Sequence, residues 1–426
     1  MNINEYGFVR VAAASPKLKV ADCDYNTSQI KELIDEAVKQ DIQFITFPEL
    51  SITGYTCADL FFQRTLQSKA LDALMELVEF MKEKRSLITV VGLPLLHKDN
   101  LYNVAAVISA EGILGFVPKQ AIPNHNEFTE KRWFTSGRDL YDEIVETPAG
   151  YHPFSSTLIF ETQHSKFGVE ICEDLWIASP PSSSLSLEGA DIIFNLSASN
   201  EVVGKHNYRR SLVANQSARC NAAYVYASAG VGESSTDLVF SGACLIAENG
   251  TMQAASKRFS LENELIVSDI DIAALRNERM RVKSENSQFA VEYLPIYCHL
   301  EPIQYFEKMH RTFNAHPFIS SPQNEDESLE DVYNIQTSGL AKRLLHTNIK
   351  TITLGVSGGL DSTLALLVAI KTFDLLGLPR ENIHAITMPG FGTTDRTYRN
   401  ALSLIKSTRV TLKEISIVSA VTQHLK

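Results

Sequence analysis

Cys172 stands at a point in the chain where a cysteine could act as a nucleophile. A short apolar run, residues 167–171, ends at this cysteine, and acidic and helix-compatible residues follow, which predicts a strand that ends in a turn. A thiol attacks as its thiolate, so a catalytic cysteine needs a base or a positive field at the end of a rigid element. A buried cysteine that serves only as a small hydrophobic residue fits the same letters. The partners of Cys172 must decide between the two interpretations.

Two further residues could supply those partners. Glu49 follows the stretch FITFP, and Lys119 follows GFVP, so each also stands where an apolar element gives way to a break. Taken alone, an acid after a strand is usually solvated, and a lysine in a loop is usually a surface charge. Taken together with the thiol, they are the base and the cation that nucleophilic catalysis requires.

The composition is that of an ordinary globular protein. The 426 residues suffice for two domains or one large one, and 44% are hydrophobic and 21% charged. The formal net charge of -11 argues against a nucleic-acid-binding surface, which usually carries clustered Lys and Arg. We therefore expect small-molecule substrates and no nucleic-acid partner.

The cysteines and the first residues indicate the compartment. The six cysteines have no close-spaced pair, so neither a zinc knuckle nor a small disulfide scaffold is expected. The start, MNINEYGFVRVAAAS, lacks the uninterrupted apolar region of a secretory signal. No apolar run is long enough to span a bilayer. A cytoplasmic protein without membrane attachment is the expectation.

Apolar periodicity predicts alternating strands and helices, the rhythm of an α/β protein. A polar and acidic stretch at 317–328 predicts an inter-domain linker. We assign a first domain to 1–300, a linker to 301–328 and a second domain to 329–426. The predicted strands are 9–14, 43–47, 87–92, 103–108, 190–196, 222–227, 243–246, 351–356, 384–388 and 410–415, and the predicted helices are 28–39, 65–85, 208–221, 329–346 and 364–373. The stretch 116–137 is rich in Pro, Asn, Glu and Lys, and long irregular segments of this kind tend to be functional.

Glu49, Lys119 and Cys172 together resemble the Glu–Lys–Cys triad of the nitrilase, or carbon–nitrogen hydrolase, superfamily. The resemblance covers about the first three hundred residues and implies an αββα sandwich. It implies that Glu49 is the base and that Lys119, with a backbone N–H after Cys172, stabilises the oxyanion. Glu127, in PNHNEFTEKRWF, matches the additional glutamate of the superfamily and is expected to position the lysine or the substrate; an ordinary loop acid fits equally.

Three stretches of the sequence narrow the range of expected substrates. GVEICEDLW, GYTCADLF from Gly54, and NLSASNEVVGKHNYRR from Asn195 resemble the glutaminase domain of glutamine-dependent NAD synthetases. The resemblance implies that Ser199 and Lys205 hold the glutamine, where a cation suits the substrate carboxylate. His125 occupies a glutamine-binding position at which some members carry tyrosine.

The second functional motif is GVSGGLDST at residues 355–363, between a predicted strand and a predicted helix. Consecutive glycines after a strand let backbone N–H groups form an anion nest at a helix N-terminus. Asp361 replaces the lysine of a Walker A loop and suggests Mg²⁺ shared with phosphates. The same letters contain G-x-S-x-G, centred on Ser357, the pattern of a nucleophile elbow in a hydrolase.

The full SGGLDS string resembles the pyrophosphatase loop of N-type ATP pyrophosphatases, of the adenine nucleotide alpha hydrolase-like fold, a doubly wound parallel sheet. MPGFGTTDRT from Met388 and NIQTSGLAKRL from Asn334 resemble the NAD synthetases among them. The resemblance implies ATP contacts for Ser357, Gly358, Gly359, Leu360, Asp361 and Ser362, with Mg²⁺ at Asp361. It implies deamido-NAD or nucleotide contacts for Met388, Gly390, Thr393 and Thr394.

The resemblance predicts a ligase that hydrolyses glutamine at Cys172 and uses the ammonia to amidate ATP-activated deamido-NAD, as a homo-oligomer. Only three strands are predicted after residue 350, fewer than a doubly wound domain normally has, so the second domain is expected to be incomplete at its C-terminus. Two alternatives stay open, a glutamine amidohydrolase without ligase activity and a non-catalytic partner that retains an ATP-binding loop.

Overall fold

The computed structural model describes residues 2–282, 292–303, 308–319 and 325–426. The chain divides into two compact units, Met1–Thr312 and Phe313–Lys426. Of the predicted linker 301–328, residues 304–307 and 320–324 lie outside the described residues.

The strands of the first unit form two sheets of eight and seven strands in the described part of the chain. In chain order the strands are β1 (Phe8–Ser15), β2 (Phe44–Thr46), β3 (Ile88–His97), β4 (Asn100–Ser109), β5 (Gly112–Pro118), β6 (Glu143–Thr147), β7 (Gly150–Phe154), β8 (Leu158–Glu161), β9 (Lys166–Ile171), β10 (Ile192–Ser197), β11 (Ala223–Ser228), β12 (Leu245–Glu248), β13 (Thr251–Ala255), β14 (Glu264–Asp271) and β15 (Leu294–Tyr297). The first sheet has the order β14-β1-β2-β3-β4-β5-β7-β6, and the second has the order β13-β12-β11-β10-β9-β8-β15.

Helices cover the outer faces of both sheets, so the unit has four layers. The helices are α1 (Cys23–Lys39), α2 (Arg64–Met81), α3 (Pro181–Leu187), α4 (Lys205–Cys220) and α5 (Ile272–Val282). One apolar cluster lies between the two sheets, a second joins the first sheet to α1 and α2, and a third joins the second sheet to α3 and α4. The predicted αββα sandwich is confirmed.

The parallel strands in the middle of each sheet bring the site residues together. Glu49 follows β2 and Cys172 follows β9, so both leave the carboxyl end of a central strand. The backbone N–H of Glu49 donates to the carbonyl of Ser197, the last residue of β10, at 3.3 Å and links the two sheets here. A Cβ at Gly92 would lie 2.3 Å from the backbone nitrogen of Leu50, so this close approach requires glycine.

The sequence located the central strands well and the peripheral ones poorly. The predicted loop 116–137 starts too early, because β5 continues to Pro118. The strands β6 and β7 were not predicted. They alternate between buried and exposed residues over only five positions each, and Gly150 and Pro153 interrupt the second of them. A short half-exposed strand gives a weak apolar signal.

The second unit has a parallel sheet with the order β16-β17-β18 and its own apolar cluster. Its elements are α6 (Glu325–Thr347), β16 (Ile352–Gly355), α7 (Leu360–Leu376), β17 (Ile383–Thr387), α8 (Asp395–Thr408), β18 (Thr411–Glu414) and α9 (Val418–His424). The helix α6 begins four residues before the predicted start at Leu329, since acidic residues of the assigned linker suit a helix N-terminus. The parallel strands joined by helices agree with the predicted doubly wound domain.

The described helices include none that combines the length and the apolar composition needed to cross a bilayer.

Candidate active site

Lys119 lies between two carboxylates in the interior of the first unit. Its Nζ lies 2.5 Å from Oε1 of Glu49 and 2.7 and 2.8 Å from the two oxygens of Glu130, and its side chain is fully buried. Burial opposes the charge, but the carboxylates of Glu130 and Glu49 outweigh it and raise the pKa of the ammonium well above its ordinary value. The site therefore holds a fixed positive charge.

Glu49 is oriented so that one carboxylate oxygen stays free. Its Oε1 accepts hydrogen bonds from the Lys119 ammonium and from Nδ2 of Asn103, the latter at 2.7 Å. Its Oε2 is buried and accepts no hydrogen bond from any residue that the structure describes. A buried acceptor without a donor is costly in a structural role but is what a general base needs.

Cys172 leaves β9 in a strained backbone conformation. Its φ is +46°, in the left-handed region that residues other than glycine seldom adopt, and a 3-10 helix, Cys172–Leu175, follows at once. The thiol is free and 7% exposed. Burial and the charge of Glu49 raise the pKa of the thiol well above its ordinary value, while Lys119 acts against the rise. The resting sulfur is thus a neutral thiol, and it needs a base during the attack.

The glutamate against the lysine is Glu130 and not Glu127. Burial raises the pKa of the Glu130 carboxyl above its ordinary value, while Lys119 and the Tyr55 hydroxyl, which donates to Glu130 at 2.8 Å, oppose the rise. Glu127 instead accepts a hydrogen bond from Asn200. The structure places Glu130 against the Lys119 ammonium, so the role expected for Glu127 toward the lysine gains no support, and its role toward the substrate stays a prediction.

A cavity of about 320 Å³ opens onto the sulfur. It lies within the size range of small-molecule pockets. Its lining includes Cys172, Glu127, His125, Ser199 and Lys205, so the structure brings the proposed glutamine-binding residues to one cavity with the cysteine.

The cation in this cavity is Lys205, at the start of α4. Its ammonium donates to Oδ1 of Asn200 at 2.5 Å and lies over the rings of Phe128 and Trp176, with 5.7 and 5.5 Å to the centroids. Burial lowers the pKa of Lys205. Across the cavity, His125 lies 3.2 Å from a Glu173 oxygen, so it is paired with an acid rather than free.

Sequence reasoning missed two buried residues that hold site residues in place, Arg209 against Ser199 and Asn103 against Glu49. Arg209 is fully buried, pairs with Glu201 at 2.5 Å and donates to the Ser199 hydroxyl at 3.3 Å. It lies four residues after Lys205, one helical turn on, so that helical spacing could have indicated it. Asn103 interrupts the apolar strand β4, and a buried polar residue in such a strand is the only sequence signal for it.

The loop 357–362 of the second unit is built from backbone and hydroxyl groups. Residues 357–359 of it join β16 to α7, with Gly359 as the N-cap, and residues 360–362 belong to the first turn of that helix. The Ser357 and Ser362 hydroxyls lie 3.2 Å apart, and Ser362 also donates to the carbonyl of Gly359 at 3.1 Å. The described contacts of the Ser357 hydroxyl include no histidine, so the nucleophile-elbow alternative gains no support. Ser357, Gly359, Leu360 and Asp361 are exposed, and Gly358 and Ser362 are half-buried.

The two motifs of the second unit lie side by side. The strands β16 and β17 are parallel neighbours, and the segment 388–394 follows the second of them. Gly358 has a φ of +85°, and a Cβ there would lie 2.1 Å from the carbonyl oxygen of Thr397 in α8. Met388 and Thr393 are exposed, Gly390 is half-buried, and Thr394 caps α8 by accepting the N–H of Thr397 at 3.3 Å.

A thiol, a free carboxylate oxygen and a buried ammonium on a four-layer scaffold form the machinery of a hydrolase that works through a cysteine. The chain belongs to the carbon-nitrogen hydrolase family, whose family model matches residues 9–280. A second family model, NAD synthase, matches residues 332–426.

Relatives match along both parts of the chain. The glutamine-dependent NAD(+) synthetase of Mycobacterium leprae is 36% identical over 435 residues, which cover 100% of this chain and 64% of the relative. That of Thermotoga maritima is 27% identical over 403 residues, which cover 94% of this chain and 63% of the relative. The chain thus spans somewhat less than two thirds of the length of these curated relatives.

Solved structures share the fold. A glutamine-dependent NAD(+) synthetase from Cytophaga hutchinsonii superposes with a TM-score of 0.57 at 22% identity, covering 98% of this chain and 66% of that one. A member of the nitrilase superfamily from Saccharomyces cerevisiae superposes with a TM-score of 0.52 at 17% identity, covering 66% of this chain and 97% of that one. Both likenesses concern the fold alone.

Proposed function

We propose that the chain acts as a glutamine-dependent NAD synthetase, which hydrolyses glutamine in its first unit and amidates deamido-NAD with ATP in its second. The observation that carries the first half is the free, buried Oε2 of Glu49, whose carboxylate lies close enough to Cys172 to raise the pKa of its thiol. The sequence identity to the mycobacterial relative extends over both units and supports the second half.

The geometry of the first site supports glutamine hydrolysis. Oε2 of Glu49 takes the thiol proton while the sulfur attacks the side-chain amide carbon, because the resting thiol is neutral. The ammonium of Lys119 and the backbone N–H of Glu173 stabilise the oxyanion. Glu49 returns the proton to the leaving nitrogen, ammonia departs, and Cys172 holds a thioester. Glu49 then deprotonates the water that hydrolyses this thioester to glutamate.

The cavity residues suit an amino-acid substrate. Lys205 is the one lysine or arginine among the described lining residues of the cavity, which also include three glutamates, and its ammonium would pair with the α-carboxylate of glutamine by a charge-assisted hydrogen bond. Ser199 and Glu127 offer a hydroxyl and a carboxylate for the remaining polar groups. His125, paired with Glu173, would form part of the wall at the cavity mouth.

In the second unit, the loop 357–362 would hold the phosphates of ATP. Its backbone N–H groups and the hydroxyls of Ser357 and Ser362 suit an anion at the start of α7. Among the described residues no group of three acidic, His or Cys side chains could hold a metal by itself. The single exposed carboxylate of Asp361 fits Mg²⁺, which protein sites commonly bind through one or two carboxylates together with phosphates. Bound there, the ion would neutralise phosphate charge during adenylation.

The proposal extends to setting and assembly. All six cysteines are free and buried, which suits a reducing cytoplasm. A homo-oligomer is proposed from the family resemblance.

The experiment compares Cys172→Ala with wild type in the full chain, with Cys23→Ala as a control that removes another buried thiol. We expect Cys172→Ala to abolish ammonia release and glutamine-driven NAD formation while NAD formation from added ammonia continues. Asp361→Asn should do the reverse, with glutaminase retained and NAD formation lost.

The alternatives give different patterns. A glutamine amidohydrolase would release ammonia from glutamine and form no NAD from either nitrogen source. A non-catalytic partner would show neither activity in the wild type. Unchanged ammonia release by Cys172→Ala would refute the assignment of the nucleophile.

A further inference from the structure

The carboxylate of Asp174 joins the segment that carries the catalytic lysine to the segment that carries the cysteine. Asp174 is 1% exposed and lies in the 3-10 helix two residues after the nucleophile. Its Oδ1 accepts the backbone N–H groups of Gln120 at 3.1 Å and Ala121 at 2.6 Å, and its Oδ2 accepts the N–H of Ile171 at 3.0 Å. One side chain thus binds the two residues after the lysine and the residue before the cysteine.

These bonds differ from ordinary packing because one buried carboxyl group accepts all of them. Every hydrogen-bond donor to Asp174 in the described part of the chain is a backbone N–H group. Burial raises the pKa of Asp174 to about 7, and the N–H groups of Ile171 and Ala121 act against the rise. A buried carboxylate is costly unless its hydrogen bonds are made, and bonds to an ionised acceptor are the stronger ones. The two carboxylate oxygens of Asp174 thus bind the segment after Lys119 and the segment before Cys172 at the same time.

The lysine is held from the other side as well. The N–H of Lys119 donates to the carbonyl of Asn103 at 2.8 Å, and its carbonyl accepts the N–H of Gly137 at 2.9 Å. Those bonds fix Lys119 to neighbouring strand and loop backbone. The bonds from Asp174 are the ones that tie the same segment to the turn at Cys172.

We propose that Asp174 is a positioning residue for thiol catalysis, setting the distance between the Lys119 ammonium and the Cys172 sulfur by tying their two backbone segments together. The inference rests on the proposed glutaminase function. It predicts that Asp174 governs the rate of the chemical step and leaves the cavity that binds the substrate largely unchanged.

Glu170 offers a matched control. It is also 1% exposed and lies two residues before Cys172, as Asp174 lies two residues after it. Its carboxylate accepts the N–H of Ser182 at 2.7 Å and the hydroxyl of Tyr224, which belong to α3 and β11 and not to the lysine segment. A change at Glu170 alters an equally buried carboxyl group without releasing the lysine.

The experiment compares Asp174→Asn and Asp174→Ala with Glu170→Gln in the full chain. A displacement of catalytic groups by about 1 Å can cost about a hundredfold. We therefore expect kcat for glutamine to fall about ten- to a hundredfold in Asp174→Asn, and further in Asp174→Ala, with KM for glutamine nearly unchanged. Glu170→Gln should keep kcat within about twofold of wild type. The Asn variant retains one acceptor oxygen, so the comparison rests mainly on it.

Two further measurements separate this inference from the proposed function. Amide hydrogen exchange at Gln120 and Ala121 should accelerate in Asp174→Ala and not in Glu170→Gln. In Asp174→Ala, alkylation of Cys172 by iodoacetamide should be severalfold slower than in wild type, because a displaced Lys119 ammonium stabilises the thiolate less. If the wild type shows no glutaminase activity but both effects are still observed, only the proposed glutaminase function is refuted.

Three results would overturn the role of Asp174. These are equal kcat values for Asp174→Ala and Glu170→Gln, faster exchange with an unchanged kcat, and loss of folding in Asp174→Asn alone. The last would make Asp174 a residue for general stability.

Discussion

The Cys172 site and the loop 357–362 both follow the end of a parallel strand, yet the protein holds them very differently. In the first, Glu49, Lys119 and Glu130 are at most 1% exposed, and the Lys119 ammonium donates hydrogen bonds to both carboxylates. In the second, Asp361 is exposed, and the hydroxyls of the loop bond mainly to the loop itself.

This difference in burial and hydrogen bonding matches the chemistry proposed for each site. A thiol attack on an amide needs charges placed in advance in a dry interior, because their effect is largest there and they cost no reorganisation during the reaction. A phosphate-binding loop needs less order before its ligand binds, because the phosphates and the metal ion supply part of the contacts when they arrive. Substitutions should therefore affect stability strongly in the first site and weakly in the second.

The largest effect is expected from Lys119→Met. The substitution leaves the carboxylates of Glu49 and Glu130 buried without their cation, which typically costs about 3–5 kcal/mol in the free energy of unfolding. Loss of an oxyanion partner should lower kcat for glutamine about a hundred- to a thousandfold. Denaturant unfolding and ammonia release measure the two effects.

The double variant Lys119→Met with Glu130→Gln is the control. It removes one of the uncompensated charges, so it should recover part of the stability and none of the activity. Equal stability of the single variant and wild type would contradict the comparison.

A smaller effect is expected from Gly358→Ala, the one place where the exposed loop is tightly packed. At a φ of +85°, and with a Cβ 2.1 Å from the Thr397 carbonyl, alanine should cost about 2 kcal/mol or more of unfolding free energy. Gly359→Ala is the matched control, because its nearest neighbour, the Ser357 hydroxyl, is 3.5 Å away. It should cost less than about 1 kcal/mol. Similar costs would mean that the loop moves freely away from α8.

The smallest effect is a pH dependence. Burial raises the pKa of the Glu170 carboxyl in the folded protein, so above its unfolded value the folded chain still binds a proton that the unfolded chain has lost. The contribution of this group to stability therefore falls as the pH rises through that window. Glu170→Gln cannot titrate, so its Tm relative to wild type should increase as the pH rises above the ordinary pKa of a glutamate.

The central architecture could be predicted because its signals are local and strong. Apolar runs mark the buried parallel strands, and Cys172, Glu49 and Lys119 each follow an apolar run. The strands β6 and β7 could not be predicted from the sequence, because they are stabilised by pairing with each other and their own residues give no clear strand pattern.

The choice between Glu127 and Glu130 shows the limit for the site. Both residues lie in one irregular segment, which has no hydrophobic periodicity to indicate which side chain points inward. Only the 3-10 helix that begins at Glu130 turns that carboxylate toward Lys119. Asp174 escaped notice for a related reason, because its partners are backbone N–H groups that no sequence pattern displays.

The positive φ of Cys172 restricts which nucleophiles this fold could ever carry. Threonine, branched at Cβ, is strongly disfavoured in the left-handed region, whereas cysteine and serine can be accommodated there. Glycine would relieve the strain altogether but has no reacting atom. The backbone thus disfavours threonine at position 172 before any question of reactivity arises, and a search for alternative chemistries on this scaffold should begin with serine.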